Sequence, residues 1–235
     1  MLYLIGVGLE AEDISVKAIE VCKKCEEIYL ENYTTSFPYH IKKLEKIIKK
    51  KIVLLKREQV ESDFLIKRAK DKNIALLVYG DPLIGTTHIS LVRDAKNFGI
   101  KARVIHNVSI FDAISEIGLF MYKFGKITSL PKWKQSYKPE SFFSIIKENL
   151  SHNAHTLLLV DPELNFGEAI SEIKEADKEN LFEEKKIVVV SCAGTKNRKI
   201  LFDKISELAK KEIIKPFCFV IPAELSYGEE INTSS

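Results

Sequence analysis

The chain has 235 residues, 46% of them hydrophobic, which excludes a disordered protein and is enough for one large domain or two small ones. Its 36 Lys and Arg stand against 33 Asp and Glu, and a formal charge of +3 is too small to argue for nucleic acid as a partner. No apolar run approaches the roughly 18 residues needed to span a bilayer, and the amino end reads as a strand rather than a signal peptide, so the expected location is cytoplasmic.

Strands and helices alternate along the chain. Leu2 to Leu9 reads as a strand ending in a glycine turn, followed by a helix capped by Asp13 or Ser15. Cys25 to Leu30 is a second strand, His40 to Lys50 a basic amphipathic helix, and Ile52 to Leu55 a short strand. Val60, Phe64, Leu65 and Ala69 mark the next helix. The uncharged run Ile74 to Tyr79 reads as a strand buried on both faces. Leu91, Val92, Ala95 and Phe98 then repeat at helical spacing, with Thr86 or Thr87 as N-cap and Gly99 as the stop. Ala102 to His106 is a further strand, and Ile110, Ala113, Ile114 and Ile117 continue a helix for which Ser109 is the N-cap.

Past Gly118 the texture shifts to aromatic, glycine and proline residues, which suits a junction. A second set follows: strands at Ile127–Leu130, Thr156–Val160, Ile187–Cys192 and Phe217–Ile221. Helices are marked by Phe142, Phe143, Ile146 and Leu150, by Phe166 to Ala176, and by Leu201, Ile205 and Leu208. The expected fold class is α/β: an N-terminal domain over residues 1–112 and a C-terminal domain over 113–235, with mainly parallel sheets and a ligand cleft between them. Cys22 and Cys25 form a C-x-x-C, but they continue the apolar face of Ile14, Ala18 and Val21 and no second pair follows. They therefore read as buried thiols rather than a metal site.

Turns after strand ends carry the functional signal. They are Gly6-Val7-Gly8-Leu9, Gly80-Asp81-Pro82, His106-Asn107-Val108-Ser109, Val160-Asp161-Pro162 and Cys192-Ala193-Gly194-Thr195. Such turns, where an open α/β sheet meets its helices, are where small ligands bind. The first is a partial dinucleotide fingerprint that lacks the third glycine, with Glu31 about 20 residues on as the acidic partner. No residue in these turns is an obvious general base; His88 and His106 are the nearest by sequence, and each also fits a structural role.

Tyr3 to Leu9, Gly80-Asp81-Pro82-Leu83 with Thr86-Thr87-His88, Val104 to Ile110, Tyr122-Lys123-Phe124-Gly125-Lys126, and Glu148-Asn149-Leu150 with His155 to Leu159 together resemble the diphthine synthases, relatives of the tetrapyrrole methyltransferases. The resemblance runs along nearly the whole chain in order. It implies a homodimeric two-domain enzyme that transfers methyl groups from S-adenosylmethionine to the amine of a modified histidine on elongation factor 2, a step of diphthamide synthesis. It implies a methyl-donor site of Leu9, Asp81, Ile84, Ser109 and Ile110, with Val160, Ala193 and Phe217 from the second domain, and no metal. This chain departs from the family's pattern in three places: Cys192 stands where the family has Arg, Phe217 where it has His, and no Tyr-Met-Thr string follows Asp161. Two alternatives remain. One is a corrin-type methyltransferase, against which the Tyr-Lys-Phe-Gly-Lys and Thr-Thr-His strings weigh. The other is a module that binds donor or elongation factor without catalysis.

The chemistry asked of such a site is modest. Methyl transfer to an amine is an in-line displacement, so the protein mainly aligns the reactants and excludes water. Asp81 is read either as facing the donor's positive charge or as capping its own turn. Trp133 and Tyr137 read first as core packing, and as the alternative they are aromatic faces that a methylated ammonium product would suit.

Overall fold

The structure, a computed structural model, describes residues 1–234; Ser235, the end of the polar tail, lies outside the described residues. The chain divides into two compact units, Met1–Ala113 and the residues from Ile114 onward.

The first unit contains β1 (Leu2–Gly6), α1 (Val16–Lys24), β2 (Glu27–Glu31), α2 (Lys42–Ile48), β3 (Val53–Leu55), α3 (Arg57–Val60), α4 (Phe64–Asp71), β4 (Ile74–Val78), α5 (Ile89–Asn97), β5 (Ala102–Ile105) and α6 (Ile110–Ala113). Its five strands run in the order β3-β2-β4-β1-β5, and every pairing is parallel. Alternate residues of the central strands divide between two cores, as the period of two in a strand requires. Ile5, Ala75 and Leu77 pack with Ala18, Cys22, Leu44 and Ile48 from α1 and α2. Leu2, Leu4, Ile74, Leu76 and Val78 pack on the other face with Leu65, Ala69, Leu91 and Ala95 from α4 and α5. At about 1.5–3 kcal/mol for each large apolar side chain removed from water, these layers fix both sheet and helices. Cys22 and Cys25 lie inside the first core, where burial pushes their thiols up to about 12 and about 11.

The predicted caps hold in part. Ser15 caps α1 by accepting the Ala18 amide at 3.1 Å. Gly99, at φ +68°, closes α5: its own amide bonds Lys96 O and the Ile100 amide bonds Ala95 O. The start of α5 differs from the expectation. Its N-cap is His88, while Thr86 Oγ1 stays in the preceding turn, donating to Pro82 O at 2.7 Å and accepting the His88 amide.

The second unit contains β6 (Thr128–Leu130), α7 (Ser141–Ser151), β7 (Thr156–Val160), α8 (Phe166–Ala176), β8 (Lys186–Ser191), β9 (Lys199–Lys204), α9 (Ile205–Leu208) and β10 (Phe217–Ile221). The α/β character holds, but this sheet is mixed rather than mainly parallel. In the order β6-β7-β10-β8-β9, only β6 pairs parallel to its neighbour. The crossover from β7 through α8 to β8 leaves one strand position open, and β10 fills it antiparallel to both. The helix expected around Leu201 is also corrected. Lys199 to Lys204 forms a hairpin strand paired with β8 along its whole length, and helix begins only at Ile205. The spacing of Leu201, Ile205 and Leu208 imitates a helical face but straddles a strand and a short helix.

Candidate functional site

In the first unit β1 and β4 are neighbours whose crossover helices pack on opposite faces of the sheet, so the strand order reverses between them. The carboxyl ends of such a pair form the crevice in which open α/β sheets bind ligands. Both ends turn on glycine. Gly8 at φ +77° and Gly80 at φ +67° pair with each other, the Gly80 amide donating to Gly8 O at 2.9 Å and the Gly8 amide to Gly80 O at 3.2 Å. A Cβ on Gly80 would meet only ordinary contacts, the nearest being Ser109 Cα at 3.6 Å, so it is the left-handed φ that demands glycine there. Gly6 is different: a Cβ would lie 2.5 Å from Gly80 O.

Asp81 joins these turns. Its buried carboxylate accepts the Leu83 amide at 2.9 Å on one oxygen. The other accepts the Asn107 amide at 3.1 Å and faces His106 Nδ1 at 2.8 Å. Asn107 then ties β5 to β1, its Nδ2 donating to Gly6 O at 3.1 Å and Asp13 O at 3.0 Å. Asp13 in turn accepts the Leu9 and Glu10 amides, and Tyr79 Oη donates to Leu9 O. Sequence reasoning placed Asn107 in a candidate turn and Tyr79 at a strand end but assigned neither a role. The signal for Asn107 was a short amide side chain directly after a strand end, uninterpretable until β1 and β5 are known to be neighbours.

Of the expected donor residues in this unit, Leu9 and Ser109 are buried, Ile110 half-buried and Ile84 exposed at the turn surface. Ser109 begins α6 as expected, accepting the Phe111 amide, while its hydroxyl donates to Asp112. Those bonds from Ser109 hold the Asp112 carboxyl below its usual range. Glu31, the acidic residue of the dinucleotide pattern, is fully buried and accepts the Tyr33 and Thr34 amides, so it does not face a ribose. His88 is also buried. Burial lowers its pKa, with the Glu31 charge opposing, and its ring lies between Pro82 O and Tyr33 Oη.

In the second unit Val160, Ala193 and Phe217 come to one end of the mixed sheet. Because β10 is antiparallel, its first residue Phe217 sits opposite Ser191 at the end of β8, and Cys218 opposite Leu159 near the end of β7. Phe217 packs edge-on against Phe166 and Phe219, at 5.4 and 5.9 Å between ring centres. Cys192, where the resemblance leads one to expect Arg, is buried at φ +49°, and burial raises its thiol pKa. Trp133 and Tyr137 do not form an ammonium cage. The Trp133 ring already carries Lys138 Nζ at 5.3 Å and its Nε1 donates to Pro139 O, while Tyr137 is exposed.

The residues of this set suit a methyl donor with a sulfonium group. They offer one buried carboxylate and exposed or half-buried aliphatic surface at Ile84 and Ile110, while the turn amides of Gly8, Leu9, Gly80, Leu83 and Asn107 are already bonded within the protein. Asp81 has three of its roughly four lone-pair sites taken by the protein, so a ligand finds at most one more. Among the described residues no group of His, Cys, Asp and Glu is placed to hold a metal ion, and no helix is long and apolar enough to cross a membrane.

A wholly parallel sheet with glycine turns at its point of reversal, followed by a unit with a mixed sheet, defines a two-unit α/β protein whose first sheet has the crevice at which open α/β sheets bind ligands. Residues 1–209 match the family of tetrapyrrole (corrin/porphyrin) methylases. A relative from Methanocaldococcus jannaschii named diphthine synthase is 38% identical over 98% of this chain and 96% of its own length. A bovine relative named diphthine methyl ester synthase is 42% identical over 80% of this chain and 64% of its own. A crystal structure of diphthine synthase superposes with a TM-score of 0.87 at 32% identity, covering 97% of this chain and 92% of that one. The chain belongs to the tetrapyrrole methylase family, and it is a methyltransferase.

Proposed function

We propose that the chain acts as a diphthine synthase, transferring methyl groups from S-adenosylmethionine to the amine of the modified histidine of elongation factor 2. The observation that carries this reading is the match to the archaeal diphthine synthase along 98% of the chain. The donor is held at the strand ends of the first unit by Leu9, Asp81, Ile84, Ser109 and Ile110. The bound donor supplies an electrophilic methyl group. The turns position it, and the apolar residues keep water from the reacting atoms. The enzyme works in the cytoplasm as a homodimer, the commonest symmetric assembly.

The test is incubation with labelled donor and elongation factor 2 carrying the unmethylated precursor. Label on the modified histidine is the expected result. Donor binding without transfer would favour a binding module instead, and transfer to a corrinoid but not to the protein would favour the corrin-type alternative. The bovine relative's name adds a methyl ester, so mild alkali distinguishes the two products: ester methyl groups leave and N-methyl groups stay.

A further inference from the structure

The reaction proposed above needs a neutral amine, and an aliphatic amine in neutral water is mostly protonated. Two imidazoles flank the Gly80-Asp81 turn, and their surroundings separate their roles. His88 is buried with both ring nitrogens engaged, Nδ1 at 3.3 Å from Pro82 O and Nε2 at 3.4 Å from Tyr33 Oη. A carbonyl only accepts, so Nδ1 carries the proton and Nε2 receives the tyrosine hydroxyl. His88 is a strut between the β4 turn and the segment after β2.

His106, just past β5, is built the other way. Its side chain is 68% exposed, and only Nδ1 is held, at 2.8 Å from Asp81 Oδ2. An ionised carboxylate already receiving two backbone amides accepts only, so the neutral ring keeps its hydrogen on Nδ1 and presents the Nε2 lone pair outward. A buried, fixed carboxylate behind an imidazole whose far nitrogen is free is the arrangement by which enzymes orient a base. Neighbouring acids are committed to backbone amides: Asp13 to Leu9 and Glu10, Asp112 to Ser109, and Glu31 to Tyr33 and Thr34.

Resting on that reading of function, we propose that His106 is the general base of methyl transfer and Asp81 the residue that positions it. The substrate ammonium gives its proton to His106 Nε2. The freed nitrogen lone pair forms the new N–C bond as the S–C bond of the sulfonium donor breaks, its electron pair staying on sulfur. The proton then passes from the exposed ring to water, so each methylation restores the base.

The experiment has four readouts. Nitrogen NMR of the ligand-free protein should find the neutral His106 ring protonated on Nδ1; an Nε2–H tautomer overturns the proposal. Single-turnover methylation of the elongation-factor precursor by His106→Ala should fall by about 10²–10⁴-fold, the range for general-base catalysis. S-adenosylmethionine affinity by calorimetry should change by less than about threefold, because the ring is not needed to hold the donor turns. Added imidazoles should restore rate in His106→Ala, and more basic ones should restore more, which a packing role would not produce. A variant that keeps its rate, or loses it without rescue while donor binding weakens, sinks the base. A wild-type enzyme that binds donor but methylates no precursor instead removes the functional reading, and with it the base.

Discussion

Glu229 offers a quantitative test of what holds the second unit together. Its side chain is wholly buried. Oε1 receives His155 Nε2 and the Phe120 amide, each at 2.8 Å, and Oε2 receives the Ser226 amide at 2.7 Å and Lys123 Nζ at 3.0 Å. The Ala223 amide donates to His155 Nδ1, so that ring is neutral with its proton facing Glu229, and burial keeps its pKa lowered. Burial alone would raise the Glu229 carboxyl. The amides of Ser226 and Phe120, with His155 and Lys123, hold it down at about 2 instead of 4.5. At about 1.4 kcal/mol per pH unit, that difference corresponds to about 3 kcal/mol of stability. The folded pKa lies below the unfolded one, so this contribution is complete above about pH 4.5 and is lost as pH falls towards 2.

Glu229→Gln keeps the shape, removes the charge and turns an NH2 group towards donors. It should cost about 3 kcal/mol at pH 7, or about 1–3 M in urea midpoint for a slope of about 1–3 kcal/mol per molar. The single tryptophan, Trp133, packs against the core of this same unit, so its fluorescence follows the relevant transition. The difference between wild type and variant should shrink by roughly half or more by about pH 3. A midpoint change worth less than about 0.5 kcal/mol at pH 7, or a difference unaltered at pH 3, would refute the reasoning.

The glycine turns and Asp81 give two further expectations. Gly80→Ala should cost about 1–2 kcal/mol through its left-handed φ alone, and Gly80→Asn less, since asparagine tolerates that region. Gly6→Ala should cost up to about 3 kcal/mol because its Cβ meets Gly80 O at 2.5 Å, and Gly6→Asn should not recover it; chemical denaturation that ranks Gly80→Ala as the worse change contradicts the geometry. Asp81→Asn should lower stability by about 1–3 kcal/mol and weaken S-adenosylmethionine and uncharged S-adenosylhomocysteine alike, because the carboxylate is occupied in holding turns; calorimetry showing selective loss of the sulfonium ligand would restore a direct electrostatic role.

The first unit was largely legible in the sequence, and the reasons are local. A five-residue uncharged run such as Ile74 to Val78 is too short for most helices and fits a strand covered on both faces, and Gly-Asp-Pro favours a turn. The second unit was less legible because its decisive pairings are long-range. Nothing near Phe217 announces that its strand inserts antiparallel between β7 and β8, so the amino end of β10 meets the carboxyl ends of the other two. For that reason reasoning from strand ends found Val160 and Ala193 but not Phe217, which only the family resemblance supplied. The Glu229, His155 and Lys123 network was missed likewise, its members lying up to 106 residues apart.

The strand order also explains why one aspartate does so much. With β4, β1 and β5 side by side, Asp81 at the end of β4 reaches His106 and Asn107 beyond the end of β1, and Asn107 reaches back to Gly6 on β1 itself. The hydrogen bonds thus close around the point where the strand order reverses. A reaction that depends chiefly on alignment gains most from such an edge, since turns already fixed need no ordering when the donor arrives. The same closure sets a constraint on Asp81. With its oxygens held by Leu83, His106 and Asn107, it cannot swing to follow the donor's charge, and its influence on the reaction runs through the turns and the imidazole it fixes.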